Sequence, residues 1–428
     1  MERWFNMGKI ENRRGVRIMS AVMCLTLAGI SHGAGDEARL AELERKVEIL
    51  SAELEQRQYR DMMPPIGEGM HGMGPAASKV YAVNEGAVSL GGYGEALYQN
   101  FEGAKSDQSD FLRAVLYFGY KFDDQWVLNT EIEFEHASTD KEGSSSVEFA
   151  YLDYLYSEAV NLRVGLLLVP VGLVNELHEP TVFLSARRPD TENVIIPTTW
   201  RENGIGLFGD VGNVTYKAYL VNSLRGEDFG AKGLRGGRQK GSKSVADDFA
   251  GVLRTDWEAM PGMRLGGSIY YGNSGQNIDV SVMTEIYEAH LDWRHRGWTV
   301  RALYAAASLD DVAELNRIIA GPDVADDEID SVGTEMRGWY VEAGYDVLNA
   351  RDSGEHALTP FVRYEQFDTQ DEVPAGFASS GKTDVDVVTV GLNYKPRDQI
   401  VFKADYQFYD NQADSGTDQG NLALGYVF

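Results

Sequence analysis

Apolar and polar positions alternate along the chain from residue 88 to its end, most clearly over residues 111–122. Leu112, Ala114, Leu116, Phe118, Tyr120 and Phe122 share one face; Phe111, Arg113, Val115, Tyr117, Gly119 and Lys121 share the other. A period of two sustained over about ten residues predicts a strand with one apolar face. After the turn Asp123-Asp124-Gln125, a second strand sets Trp126, Leu128, Thr130, Ile132 and Phe134 against Val127, Asn129, Glu131, Glu133 and Glu135. Successive carboxylates cannot face hydrocarbon, so that second face is expected to be wet.

The same pattern predicts sixteen strands, at 89–101, 110–122, 126–136, 146–156, 161–169, 202–210, 214–222, 248–257, 263–272, 281–294, 298–307, 335–347, 356–367, 384–395, 400–409 and 420–428. Short turns (123–125, 211–213, 258–262, 295–297, 396–399) alternate with long loops (172–201, 223–247, 308–334, 368–383). An even strand count with turns sorted to one end is the pattern of an all-β, 16-stranded antiparallel transmembrane β-barrel of the bacterial outer membrane. The last strand alternates Leu422, Leu424, Tyr426 and Phe428. Its terminal aromatic looks like the signal read by the outer-membrane assembly machinery, and closure on the first strand would remove an exposed edge.

The first 87 residues follow other rules. Arg13, Arg14 and Arg17 precede an apolar stretch, 18–30, and then small residues, the pattern of a signal peptide over 1–33. Leu40, Leu43, Val47, Leu50 and Leu54 are spaced as an a/d seam, so 34–60 is expected to be a coiled-coil helix that associates with copies of itself. Residues 61–87, rich in Pro, Gly and Met, read as a linker; nothing in the pattern holds Met70, His71 and Met73 in a metal-binding geometry. The barrel is expected over 88–428.

Composition narrows the function. Aromatic residues make up 11% of the 428, too many for a disordered chain, and no run of about 20 apolar residues is present. The formal charge of −27 disfavours a nucleic-acid partner, and removing residues 1–33, with five basic and two acidic groups, takes it to −30. The sole cysteine, Cys24, lies in the apolar stretch of the leader.

The segment 161–174, NLRVGLLLVPVGLV, resembles the strand leading into the third loop of the phosphate-selective porin O/P family. Phe111-Leu-Arg-Ala-Val and Tyr151-Leu-Asp-Tyr154 are similar to that family's preceding strands, and an N-terminal coiled-coil segment is similar too. The resemblance implies a trimeric sixteen-stranded porin whose third loop enters the lumen. It does not carry the family's anion-selective side chains onto individual positions here.

Loop 170–201 is unusually apolar (Val182-Phe-Leu184, Val194-Ile-Ile-Pro197), which suits packing inside a barrel. His178, Arg187, Arg188 and Arg201 are its candidate solute-contacting residues; pairing with Glu176, Glu179, Asp190 or Glu202 would merely pin it to the wall. Alternation points Arg113, Glu131, Glu133, Glu135, Arg163, Arg254, Arg264, Glu288, Asp292, Arg294, Arg301 and Arg363 at the lumen. The basic loop 223–247 and the acidic loop 309–335 read as solvated charge runs. His290, flanked by Glu288 and Asp292, reads as part of a pore-lining charge ladder; no G-x-S-x-G or H-E-x-x-H motif suggests an enzyme.

The expected function is a porin passing small hydrophilic solutes and ions by diffusion, assembled as a homotrimer among lipopolysaccharide, with no cofactor and no metal. An oxyanion-selective channel, of phosphate or pyrophosphate type, is the alternative. Adhesion, or a purely structural barrel, is the third.

Overall fold

The computed structural model describes residues 39, 41–51, 69–139, 143–349 and 356–428. The signal-peptide expectation falls outside these residues.

Sixteen strands form where the alternation predicts them. They are β1 (Val88–Phe101), β2 (Gln108–Lys121), β3 (Trp126–Glu135), β4 (Ser144–Leu155), β5 (Asn161–Leu168), β6 (Arg201–Val211), β7 (Val214–Asn222) and β8 (Phe249–Met260). The second half comprises β9 (Met263–Asn273), β10 (Met283–His295), β11 (Trp298–Leu309), β12 (Glu335–Tyr345), β13 (Ala357–Glu372), β14 (Asp384–Arg397), β15 (Ile400–Asn411) and β16 (Gln419–Val427). Each strand pairs antiparallel with its sequence neighbours, and β16 returns to β1 with Tyr93 opposite Val427 and Phe101 opposite Gln419. Closure leaves no free edge, the condition for a sheet surrounded by lipid.

The outer wall carries Leu116, Leu207, Leu253, Val362, Leu392 and Phe402, all exposed. Aromatic pairs sit at the short-turn end, Trp126 on Tyr154 with ring centroids 4.8 Å apart and Trp298 on Tyr345 at 5.0 Å. Such rings suit the boundary between hydrocarbon and water. Among the described residues no helix is long and apolar enough to cross a membrane.

The inside departs from expectation. The inward charged face is not wet: Glu131, Glu133, Arg163 and Arg363 are 0–2% exposed. Three segments cover them. The first is the second half of the supposed linker. Residues 69–87 pack into the short-turn end of the barrel through a short helix, α1 (Lys79–Ala82), with Met73, Ala76, Ala77, Val80 and Tyr81 buried. Glycines admit it. Gly72 lies in the left-handed region (φ +79°) against Lys217, and Gly119 on β2 leaves bare backbone on which Val80 rests. Tyr81 donates to Asp153 (2.7 Å), and Asn129 holds the Ala77 carbonyl (2.9 Å). These wall residues satisfy polar groups that a free linker would give to water.

The second segment is loop 169–200, including α2 (Thr191–Val194). The third, loop 223–248, is not a freely solvated run: Leu224, Phe229, Ala231 and Leu234 are buried, and Leu224 N–H donates to Tyr270 Oη (3.0 Å). The acidic loop likewise contains a helix, α3 (Val312–Ala320), that buries Val312 and Leu315. Apolar side chains in otherwise polar loops gain by leaving water, and the lumen is the nearest dry volume. Residues 41–51, described separately, are helical with Leu43, Val47 and Leu50 exposed.

Candidate functional site

The inserted loop is the centre of the lumen. Its neck is stapled by Asn175, whose Nδ2 donates to the carbonyls of Val169 (2.6 Å) and Trp200 (2.9 Å) while its Oδ1 accepts from Trp200 N–H (2.6 Å). Beyond the neck, the loop's backbone meets charged side chains from many strands. Arg254 (β8) donates to Gly172 O (2.5 Å), Arg301 (β11) to Val182 O (2.6 Å) and Lys403 (β15) to Ser185 O (2.9 Å). Carboxylates on other strands accept from the loop: Glu365 (β13) from Thr191 N–H (3.1 Å) and Asp405 (β15) from Ala186 N–H (2.5 Å). Glu192 of the loop accepts from Tyr340 Oη (2.6 Å) and from Val174 N–H (2.7 Å), while burial raises its carboxyl above the usual range.

The candidate constriction residues divide. His178 is buried against Glu131 and Glu148, 3.3 and 3.4 Å away. Arg187 reaches Tyr409 (3.1 Å) and Asp190 (3.4 Å), and Arg188 donates to the His178 carbonyl (3.3 Å). Arg201 opens β6 and is tied to Glu148 (2.8 Å) and Ser146 (3.0 Å). Of the expected carboxylate partners, Asp190 pairs with Arg187. Glu176 instead meets Lys217 (2.5 Å), Glu179 accepts from Ala76 and Ala77 N–H (3.0 and 3.1 Å), and Glu202 accepts from Gln239 N–H (2.8 Å).

Most of the predicted lining residues are buried inside and paired. Arg163 meets Asp153 (2.8 Å), Arg113 meets Glu133 (3.2 Å), Arg363 meets Glu365 (2.7 Å) and Glu135 accepts from Ser144 (2.8 Å). Arg301 and Arg294 both reach Asp292, at 3.3 and 3.2 Å, but Arg294 and Arg264 stay exposed near the short-turn end. His290 is bonded to Glu288 (2.6 Å) and to Asp256 (2.8 Å), not to Asp292.

Two residues that alternation did not single out join from the basic loop. Burial pushes the Arg235 guanidinium down to about 9, helped by repulsion from Arg238, Arg188 and Arg113. Burial and then Arg201 push Arg238 down to about 10. Nη1 of Arg235 and Nε of Arg201 have no hydrogen-bond partner.

A protein of Aquifex aeolicus (strain VF5) is 38% identical over 376 residues, covering 86% of this chain and 86% of its own length. The chain belongs to that protein's family. The relative is described only as an uncharacterized protein, and no family model matches the chain. Among solved structures, the barrel is similar to Salmonella typhi OmpF, determined as a daunomycin complex (TM-score 0.56, 14% identity, 80% of this chain and 98% of that one). It is also similar to the outer-membrane channel DcaP of Acinetobacter baumannii (TM-score 0.52, 13% identity, 80% and 98%). These likenesses are of fold: the chain has the sixteen-stranded architecture seen in bacterial outer-membrane porins.

Proposed function

We propose that this chain is an outer-membrane channel for small hydrophilic solutes, working as a homotrimer with its short turns toward the periplasm and its long loops among lipopolysaccharide. The observation that carries the reading is the pairing of an apolar, aromatic-banded outer wall with an inner wall that carries charged side chains on many strands of a closed barrel. Such an interior has no use unless water and solutes reach it. Residues 69–87 and the inserted loop pack against that inner wall, so their position sets the cross-section left for a solute. Residues 1–33 serve as the export signal, and Phe428 addresses the chain to the assembly machinery.

A second reading has its own support. Arg235 and Arg238 repel each other and Arg188 and Arg201 respectively, and Arg235 and Arg201 keep buried donors without a partner, an arrangement suited to phosphate or another oxyanion.

Reconstitution of the full-length protein in planar bilayers tests both. Discrete current steps are expected. A reversal potential in asymmetric KCl that favours chloride, lost in the Arg235→Ala/Arg238→Ala double variant, supports the oxyanion reading. A reversal potential near zero leaves the general channel. Absence of any current, in the wild type and in a chain lacking residues 69–83, rejects the channel.

A further inference from the structure

We propose that Glu131, Glu148 and His178 bind a divalent transition-metal ion, with zinc as its simplest representative, and that the ion clamps the inserted loop to β3 and β4. This does not depend on the transport reading.

All three residues are buried, and their candidate ligand atoms lie within 4.8 Å of one another. His178 Nδ1 donates to the Asn175 carbonyl at 2.8 Å, which fixes the tautomer and turns the Nε2 lone pair toward the two carboxylates. Nε2 stands 3.3 Å from Glu131 Oε1 and 3.4 Å from Glu148 Oε2. Charge-assisted N–H···O bonds are shorter, about 2.7–2.9 Å. Ligands about 2.1 Å from a tetrahedral metal are separated by about 3.4 Å, which matches the separation of Nε2 from each carboxylate, while the two carboxylates lie within 4.8 Å of each other.

Unsatisfied atoms point the same way. Glu131 Oε2 and Glu148 Oε2 are fully buried and accept no hydrogen bond. A bare carboxylate oxygen away from water is costly, and a cation supplies the missing partner. Glu148 Oε1 is held by Arg201 at 2.8 Å, so a residue outside the ligand set orients that ligand, as metal sites commonly require.

The backbone is built for it too. Register slips between Glu131 and Ile132, placing both Glu148 and Phe149 inside, whereas strict alternation would send Glu148 to the lipid. A β-bulge that re-aims one carboxylate into a buried cluster is a feature of functional sites.

The competing account is a protonated His178 paired with two glutamates, and metal binding separates the two. Full-length protein is stripped with chelator, refolded in detergent with zinc or cobalt(II), dialysed, and analysed for metal content and visible absorption. One equivalent of zinc per chain is expected, with cobalt(II) bands of a nitrogen- and oxygen-ligated low-coordinate site. His178→Gln is expected to lose both signals, while His290→Gln and the loop variant Asp326→Asn/Asp327→Asn keep them. If His178→Gln does not fold, the near-isosteric Glu131→Gln takes its place. The proposal is overturned if the wild type retains no stoichiometric metal, if its cobalt spectrum is that of the aqueous ion, or if the folded site variant binds as much as the wild type.

Discussion

At the residue scale, the lumen is decided by single polar side chains that the inserted loop cannot do without. Asn175 satisfies three backbone groups at the loop's neck. Asn175→Ala leaves buried carbonyls and an N–H unpaired and should cost about 3 kcal/mol, seen as a lower urea midpoint with the slope unchanged. An unmoved midpoint would mean that the neck is held otherwise. Glu192 sets a pH dependence. Its folded carboxyl is raised above the ordinary 4.5, first by burial, so the folded protein holds a proton that the unfolded chain releases. Its contribution is therefore complete in acid and is lost as pH climbs through the raised value. Glu192→Gln should flatten the urea midpoint against pH above the ordinary 4.5, and parallel curves for both proteins would exclude the residue. Alternation placed Glu131 and Glu133 inside but passed over Glu148, because a one-residue bulge breaks the period that the reading relies on. The one available signal was a glutamate on an otherwise apolar face.

At the element scale, all sixteen strands were legible, some almost to the residue: the predicted 214–222 is β7 and 161–169 is β5 with one residue to spare, whereas β13 runs five residues past its expected end. Lipid outside imposes the same alternation on every strand, so each segment announces itself independently. Loops and the segment before the barrel were not legible in this way. Residues 69–83 have a linker's composition but a plug's position, because glycines that look flexible in sequence are there for close approach to Lys217 and Glu179. The helix at 41–51 exposes Leu43, Val47 and Leu50 in a stripe. Their replacement by serine should lower the sedimentation coefficient of the assembled protein in detergent, and an unchanged oligomer would show that the barrel walls suffice.

At the scale of the whole molecule, the barrel is a closed frame around an inserted filling. Closure pairs every strand on both sides, whereas residues 69–83 are held by buried side-chain contacts, among them those of Asp153, Asn129 and Glu179, and by an apolar seat for Val80 at Gly119. Gly119→Val removes that seat, since a Cβ there meets Val80. The expected result is a larger or more frequently open conductance in planar bilayers, with the barrel still folded by heat-modifiable migration. Conductance identical to the wild type would show that the segment does not govern flow.

The sequence by itself determined the barrel: strand number, the place of each strand in the chain, and which face of most strands meets lipid. Those follow from local alternation against a uniform solvent. Only the tertiary structure decided how dry the interior is, that the N-terminal segment enters it, and that Glu131, Glu148 and His178 meet. Those contacts join strands and loops whose mutual placement depends on closure and on a bulge, and neither leaves a periodic trace in the chain.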